Sequence, residues 1–167
     1  MPFHKWFSEI TDKLSSNSPS YASVITNRQQ MKVFALRLKP DQDLRQSLKT
    51  FAKDKNIKAG FILTAIGSLK QATIRFANQN FSTVLNDKFE IISLNGTLAT
   101  TGIHLHISIA DKEGKTISGH LDNGCIIYTT AELIIGASEE FTFLRTIDPK
   151  TGYKELEIIC NPPQPLS

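Results

Sequence analysis

Three of the four histidines in this chain lie close together in sequence: His104, His106 and His120. The segment Ile103–Ile109 alternates apolar and polar side chains strictly, which is the period of a β-strand. His104, His106 and Ser108 therefore share one face of the predicted strand. Imidazole is a common metal ligand, and three histidines with a fourth position open are typical of catalytic or exchangeable zinc.

A hairpin turn is predicted directly after this strand. Gly114 suits the left-handed position of a three-residue turn formed by residues 112–114. Asp111 and Lys115 then lie opposite each other, at the ends of two antiparallel strands.

This register brings the third histidine to the other two. Counting along both strands places His106 opposite His120 and His104 opposite Asp122. Opposed side chains have Cβ atoms about 5 Å apart, so the three imidazoles can converge on one ion. The sequence therefore predicts zinc or a similar divalent metal at His104, His106 and His120. The alternative is a polar strand face on which neutral histidines bond to water or to neighbouring groups.

Three further side chains are candidates to orient these histidines: Ser108, Asp122 and Glu132. Ser108 and Asp122 share the histidine face in the predicted register, and an acceptor next to a ligating imidazole fixes its orientation. Glu132 stands alone as an acid in an apolar run. Two other interpretations of Glu132 are favoured, a salt bridge with Arg75 or Arg145 and an exposed position on a wet sheet face.

Composition indicates a soluble globular protein with one main domain. The chain has 167 residues, of which 40% are hydrophobic and 21% charged, and these values are ordinary for that class. We expect no transmembrane helix and no secretory signal, because no long apolar run occurs. Cys125 and Cys160 do not make a disulfide framework, so a cytoplasmic location is expected.

Basic residues are concentrated in the first third of the chain, although the net charge is only +3. Residues 1–58 hold eleven Lys or Arg against five acids, and residues 59–167 hold eight against eleven. Arg45, Lys49 and Lys53 recur at a spacing of four on a predicted helix. Such a basic row could contact phosphate groups, but it is more often a solvated helix face.

The whole pattern predicts an α+β fold with a largely antiparallel sheet of about seven or more strands and flanking helices. Besides the histidine hairpin, strands are expected at 31–39, 59–69, 72–77, 81–85, 89–99, 126–137, 141–147 and 153–159. Asp43 is expected to cap the one predicted internal helix of the domain, whose apolar face contains Leu44 and Leu48.

Glycines interrupt two of these strands. The run at 59–69 is almost continuously apolar, which is typical of a strand buried on both faces. Gly67 within it predicts a bulge or a close approach of another backbone. Asn95 and Gly96 are expected to break the strand at 89–99.

Both ends of the chain are expected to lie outside the main domain, which spans 31–159. Residues 1–30 predict an amphipathic helix and a Ser-rich linker. The apolar stripe of that helix consists of Phe3, Trp6, Phe7, Ile10 and Leu14. It is expected to dock on the domain or on a neighbouring subunit, while a membrane-surface helix and a disordered tail are alternatives. Residues 160–167 predict a Pro-rich tail.

Several short motifs, in this order, resemble the PPC domain, the domain conserved between plants and prokaryotes, in a bacterial-type stand-alone form. They are Thr64–Leu69, Phe89–Gly96, His104–His106, Ser118–Leu121, Thr130–Glu132, Phe143–Arg145 and Thr151–Gly152. Each motif alone is weak, but their shared order across residues 31–159 makes the resemblance specific.

The resemblance implies a compact antiparallel sheet, usually assembled as a homotrimer. It also implies that His104, His106 and His120 match three histidines with which many bacterial members hold a metal, often zinc. Ser118 stands where the family pattern commonly has a glycine. Plant members bind AT-rich DNA through an AT-hook with an Arg-Gly-Arg-Pro core. This sequence contains no such core, so we expect at most weak, salt-dependent DNA binding.

Two functions fit these observations. The first, which we favour, is a non-enzymatic, homotrimeric, metal-binding PPC module with a DNA- or transcription-related role, or with a protein partner. The second is a metal-dependent enzyme of unknown substrate, in which the open metal position activates water or polarises a carbonyl. Asp122, Glu132 and Glu90 are the candidates for its general base.

Overall fold

Nine strands and one helix make up residues 31–162, the part of the chain that the computed structural model describes. The elements in order are β1 Met31–Leu38, α1 Leu44–Asp54, β2 Gly60–Arg75, β3 Thr83–Leu85, β4 Phe89–Ala99, β5 Gly102–Ala110, β6 Thr116–Leu121, β7 Ile126–Ser138, β8 Phe141–Ile147 and β9 Lys154–Cys160. The predicted N-terminal helix and most of the predicted tail lie outside these residues. Among the described residues, no helix has the length and hydropathy needed to span a membrane.

Seven of the strands form one antiparallel sheet in the order β1-β7-β2-β4-β5-β6, with β3 paired to β2. The end of β2 also pairs with β6, through Ile74 with Leu121 and Arg75 with His120. Strands β2, β4, β5 and β6 therefore close a ring of hydrogen-bonded neighbours. The hairpin of β8 and β9 is a separate two-stranded sheet. The predicted α+β class with a largely antiparallel sheet is confirmed.

Helix α1 begins where the sequence predicts and packs against β4 and β7. The Asp43 carboxylate accepts hydrogen bonds from the backbone N–H groups of Gln46, at 2.8 Å, and Gly124, at 2.6 Å. A capping side chain of this kind stabilises a helix by about 1 kcal/mol. The fully buried residues of the helix are Leu44, Leu48 and Ala52. Their spacing of four places them on one face, which fixes the helix on the sheet.

Strand β2 is longer and more exposed than predicted. The segments 59–69 and 72–77 join into a single strand, Gly60–Arg75. Leu63 and Ile66 are 47% and 59% exposed, so the expectation of a strand buried on both faces is wrong. One face of β2 meets the core, and in the described part of the chain no second layer covers the other face at these two residues.

Two glycines allow neighbouring strands to approach closely. At Gly67 a Cβ atom would lie 2.2 Å from the carbonyl oxygen of Thr130, and the register with β7 shifts there, which confirms the predicted bulge. Gly96 does not break β4 as expected, because β4 continues to Ala99. Its φ is +135°, and a Cβ would lie 2.0 Å from the carbonyl oxygen of His104. Gly96 thus lets β4 lie directly against the strand that carries the histidines.

Candidate metal centre

The hairpin of β5 and β6 has the predicted turn and register as far as the third histidine. The N–H of Gly114 donates to the carbonyl of Asp111 at 2.9 Å, and the N–H of Asp111 donates to the carbonyl of Lys115 at 3.1 Å. With the turn closed in this way, His106 lies directly opposite His120. The predicted cross-strand histidine pair is confirmed.

Alternation along β5 separates a core face from a histidine face. The buried residues of this strand include Ile103, Leu105, Ile107 and Ile109. Burial of each such side chain stabilises the fold by roughly 1.5–3 kcal/mol. A slip of one residue would exchange the two faces, so this packing holds His104 and His106 on the face opposite the core.

The predicted pairing of His104 with Asp122 is wrong. Strand β6 ends at Leu121, and the N–H of Asp122 donates to the carbonyl of Thr73 at 3.1 Å. The end of β6 thus leaves β5 and joins β2. His104 pairs instead with Thr97 on β4.

The three imidazoles nevertheless converge. The ring centroids of His104, His106 and His120 are 5.1–5.6 Å apart. One ring nitrogen from each can be chosen so that all three lie within 4.8 Å of one another. In a tetrahedral zinc site with Zn–N bonds of 2.0–2.1 Å, these nitrogens would be about 3.3 Å apart. To bind one ion together, these nitrogens would have to come up to about 1.5 Å closer to one another.

His120 supplies the observation that most directly suits a metal. Its Nδ1 atom is buried and has no hydrogen-bond partner, although such atoms are rarely left unsatisfied. Burial, followed by the charges of His104 and Arg75, lowers the pKa of His120 to about 4. The ring is therefore neutral at pH 7, as a metal ligand must be. The residues present fit a divalent ion.

His104 has a competing partner. The guanidinium of Arg145 lies with Nη2 3.0 Å from Nδ1 of His104. Arginine can only donate, so Nδ1 accepts and the proton of the neutral ring is on Nε2. Burial, Arg145 and His106 all lower the pKa of His104. A metal bound through either ring nitrogen of His104 must therefore displace Arg145 from Nδ1, because a neutral ring that binds the ion through Nε2 carries its proton on Nδ1.

We expect metal-free protein to lose stability as the pH falls from 6.5 to 4. The folded pKa of His120 is about 4, against an ordinary value of 6.5. In this window the unfolded chain takes up a proton that the folded chain does not, so acid favours unfolding. After allowance for the half-exposed ring, the loss at pH 4 is about 1–2 kcal/mol. Urea unfolding of EDTA-treated protein at several pH values measures it. A His120→Gln variant with the same pH slope as the wild type would contradict this assignment.

The side chains predicted to orient the histidines have other partners. Ser108 accepts a hydrogen bond from Ser118 at 2.9 Å on the histidine face. Asp122 accepts from the hydroxyl of Ser82 at 2.8 Å and from the N–H of Asn123 at 3.0 Å. Burial opposes ionisation of Asp122, but these two hydrogen bonds together with the charges of Arg45 and His120 lower its pKa. Asp122 acts on His120 through its charge, which works against the lowering of the histidine pKa.

The two glutamates predicted as possible general bases lie on exposed positions of the sheet. Glu132 on β7 is opposite Arg37 of β1 and Ile66 of β2, on the sheet face away from the core. This placement agrees with the wet-face interpretation. Glu90 on β4 is opposite Ala110 of β5.

Only two of the three residues in the basic row of α1 lie near the histidines. Arg45 and Lys49 line a cavity that also reaches His104 and His120, whereas Lys53 is not among the residues that line it. Two further arginines complete the surroundings of the histidines. Arg75 and Arg145 line the same cavity, but the sequence alone gave no reason to place them there.

Comparison with known proteins places the fold and the histidine strands in a family. The family model of the Plants and Prokaryotes Conserved (PCC) domain matches residues 25–139. The chain is 48% identical over 139 residues to the bifunctional protein GlmU of Synechococcus sp. (strain JA-3-3Ab), which is 81% of this chain and 22% of that relative. It therefore spans about a fifth of the length of that curated relative.

Solved structures show the same fold. A protein from Salmonella cholerae-suis superposes with a TM-score of 0.77 at 40% identity, over 80% of this chain and 97% of that one. A metal-containing protein from Archaeoglobus fulgidus superposes with a TM-score of 0.68 at 25% identity, over 80% of this chain and 99% of that one. The chain belongs to the Plants and Prokaryotes Conserved domain family, the PPC family that its motifs resemble.

Proposed function

We propose that this chain is a metal-binding module that holds zinc or a similar divalent ion with His104, His106 and His120. The convergence of three imidazoles, together with the buried and unpartnered Nδ1 of His120, carries the proposal. The metal-containing relative from Archaeoglobus fulgidus, which shares the fold, supports it. Three neutral imidazoles would leave a fourth position on the ion for water or for a small ligand.

Binding is favoured over catalysis because the candidate bases are placed for other roles. A general base must come within hydrogen-bond reach of the proton that it removes. Asp122 is held by Ser82 and Asn123, while Glu132 and Glu90 occupy exposed sheet positions. A metal-dependent enzyme stays the second candidate, because the ion would supply Lewis acidity next to a cavity.

Elemental analysis of protein purified without a metal-affinity tag tests the metal proposal. We expect close to one zinc, or an equivalent divalent ion, per chain. Removal with EDTA followed by addition of zinc should restore the same ratio. A ratio near zero that added zinc does not restore would contradict the proposal.

We further propose that the module assembles as a homotrimer through the sheet face opposite the core. Large apolar side chains are exposed on β1, β2 and β7, where Val33, Leu63, Ile66 and Tyr128 are between 38% and 59% exposed. Exposed apolar patches of this kind mark interfaces. In a closed ring of three, this face of one copy would pack against a different surface of the next copy, and every chain would bury the same two surfaces.

Light scattering tests the assembly. We expect the wild type at about three times the chain mass of 18.6 kDa and an Ile66→Glu variant at the mass of one chain, because a second carboxylate would be buried next to Glu132, which lies opposite Ile66. Val84→Glu is the control, since Val84 is 53% exposed on β3 and lies outside the proposed seam. A monomeric wild type, or an Ile66→Glu variant that remains trimeric, would contradict this interface.

A role with DNA, with transcription or with a protein partner is a secondary proposal. Arg45 and Lys49 could contact phosphate groups, but a net charge of +3 favours only weak, salt-dependent DNA binding. Cys125 and Cys160 are both free thiols, which is compatible with action in the cytoplasm.

A further inference from the structure

A cavity of about 650 Å³ beside His104 and His120 has a strongly cationic wall. Its charged residues, apart from the histidines, are Arg45, Lys49, Arg75, Arg145, Lys154 and Glu155. Five are basic and one is acidic, in a chain whose net charge is only +3. The helix α1 and strands β2, β8 and β9 supply them, so the fold gathers these charges from distant parts of the sequence.

These basic side chains form no ion pair within the described residues, although Glu155 shares the cavity wall and Arg45 is near enough to Asp122 to help lower its pKa. The ion pairs within residues 31–162 join Lys32 to Glu139, Lys70 to Asp41 and Lys112 to Glu113; none involves a basic residue of this cavity.

These arginines donate hydrogen bonds to neutral acceptors. Arg45 donates to the side-chain oxygen of Asn123 at 3.0 Å, and Arg75 donates to the carbonyl of Gln79 at 3.3 Å. Arg145 donates to His104 and to the carbonyl of Lys154. Cations held near one another by neutral groups repel, and a bound anion would offset that repulsion.

We propose that this cavity binds a small phosphorylated molecule, with its phosphate groups held by Arg45, Lys49, Arg75 and Arg145. One guanidinium group can donate two parallel hydrogen bonds to two oxygens of a phosphate group. The hydrogen bonds that arginine and lysine donate to phosphate are charge-assisted. A volume of about 650 Å³ is in the range of sites for single small ligands. A DNA duplex needs an extended surface instead. The proposal goes beyond metal binding, because the cationic wall does not depend on the ion.

The basic row of α1 supplies a matched pair of variants. Lys49 and Lys53 are both exposed on the same helix, and each loses one positive charge on replacement by alanine. Only Lys49 lines the cavity. Neither is a buried residue of the core, so both variants should keep the fold, which their melting temperatures will check.

Titration calorimetry with inorganic pyrophosphate tests the proposal. The full-length protein is first treated with EDTA to remove bound metal, and the EDTA is then removed before the titration. We expect saturable binding of one pyrophosphate per chain, weakened roughly tenfold by Lys49→Ala, which is the weight of one charge-assisted hydrogen bond. Lys53→Ala should change the affinity by less than about twofold. Zinc content, measured separately, reports on the metal proposal alone.

Three outcomes would overturn the inference. Pyrophosphate that does not bind saturably to the wild type excludes a built phosphate site. Equal weakening by Lys49→Ala and Lys53→Ala shows only a diffuse basic surface. The third outcome is that a DNA duplex binds under the same conditions while pyrophosphate does not, and that both variants lower the affinity for the duplex equally. In that case the basic row of α1 binds nucleic acid and the cavity proposal is wrong.

Discussion

Replacing His106 with alanine is expected to remove most of the bound metal. The structure places His106 on an exposed position of β5, opposite His120, so the loss of its ring leaves the core intact. Two imidazoles make a much poorer zinc site than three. Loss of a group that only supports a ligand weakens metal binding about 10–100-fold. We therefore expect loss of the ligand itself to weaken zinc binding by at least about 100-fold.

The fourth histidine of the sequence provides a matched control. His4 lies outside the described residues, and His4→Ala removes one imidazole while leaving the three proposed ligands in the sequence. Zinc affinity measured by competition with a chromophoric chelator should fall for His106→Ala and stay at the wild-type value for His4→Ala. Equal affinities for His106→Ala and the wild type would show that His106 is not a ligand.

Gly96→Ala is expected to be the most destabilising single change considered for the fold. The added Cβ would lie 2.0 Å from the carbonyl oxygen of His104 and 3.0 Å from the Cα of Leu105. Backbone atoms cannot move aside as a flexible side chain can, so β4 and β5 must separate locally. The φ of +135° adds strain for any residue with a side chain. We expect a loss of about 3 kcal/mol or more in the free energy of unfolding.

Gly114→Ala measures the cost of a positive φ in the absence of a steric clash, so it serves as the control for Gly96→Ala. Gly114 also has a positive φ, +80°, but a Cβ there meets nothing within 4 Å. Gly114→Ala should lower the free energy of unfolding by about 1 kcal/mol, which is the penalty for a residue with a side chain in the left-handed region. Chemical denaturation of both variants gives the comparison. If the two losses are equal, the close approach of β4 to His104 is not what requires the glycine.

Local patterns in the sequence were sufficient to predict the histidine face and its turn. The period of two along Ile103–Ile109 separates the faces, and Gly114 fixes the loop length, so the pairing of His106 with His120 follows. Both features depend on residues close together in the chain. The prediction failed one step further, at His104 and Asp122, because the end of β6 bonds to Thr73. That contact joins distant segments, and no local pattern encodes it.

The exposure of β2 and the position of Arg145 also depend on packing between distant segments of the chain. An apolar run is the same in sequence whether it faces a core or an open sheet surface, so the exposure of Leu63 and Ile66 on β2 could not be predicted. Arg145 reaches His104 from the β8–β9 hairpin. Its place in the site depends on how that hairpin sits against β5, which the spacing of residues does not reveal.

Anomalous X-ray scattering at the zinc edge from crystals of the tag-free, zinc-loaded protein tests the metal centre most directly. We expect a peak above the edge that vanishes below it, within about 2.1 Å of one ring nitrogen each of His104, His106 and His120. The result that would contradict it is a zinc-loaded crystal with no peak among these three rings, in which Arg145 still donates to Nδ1 of His104.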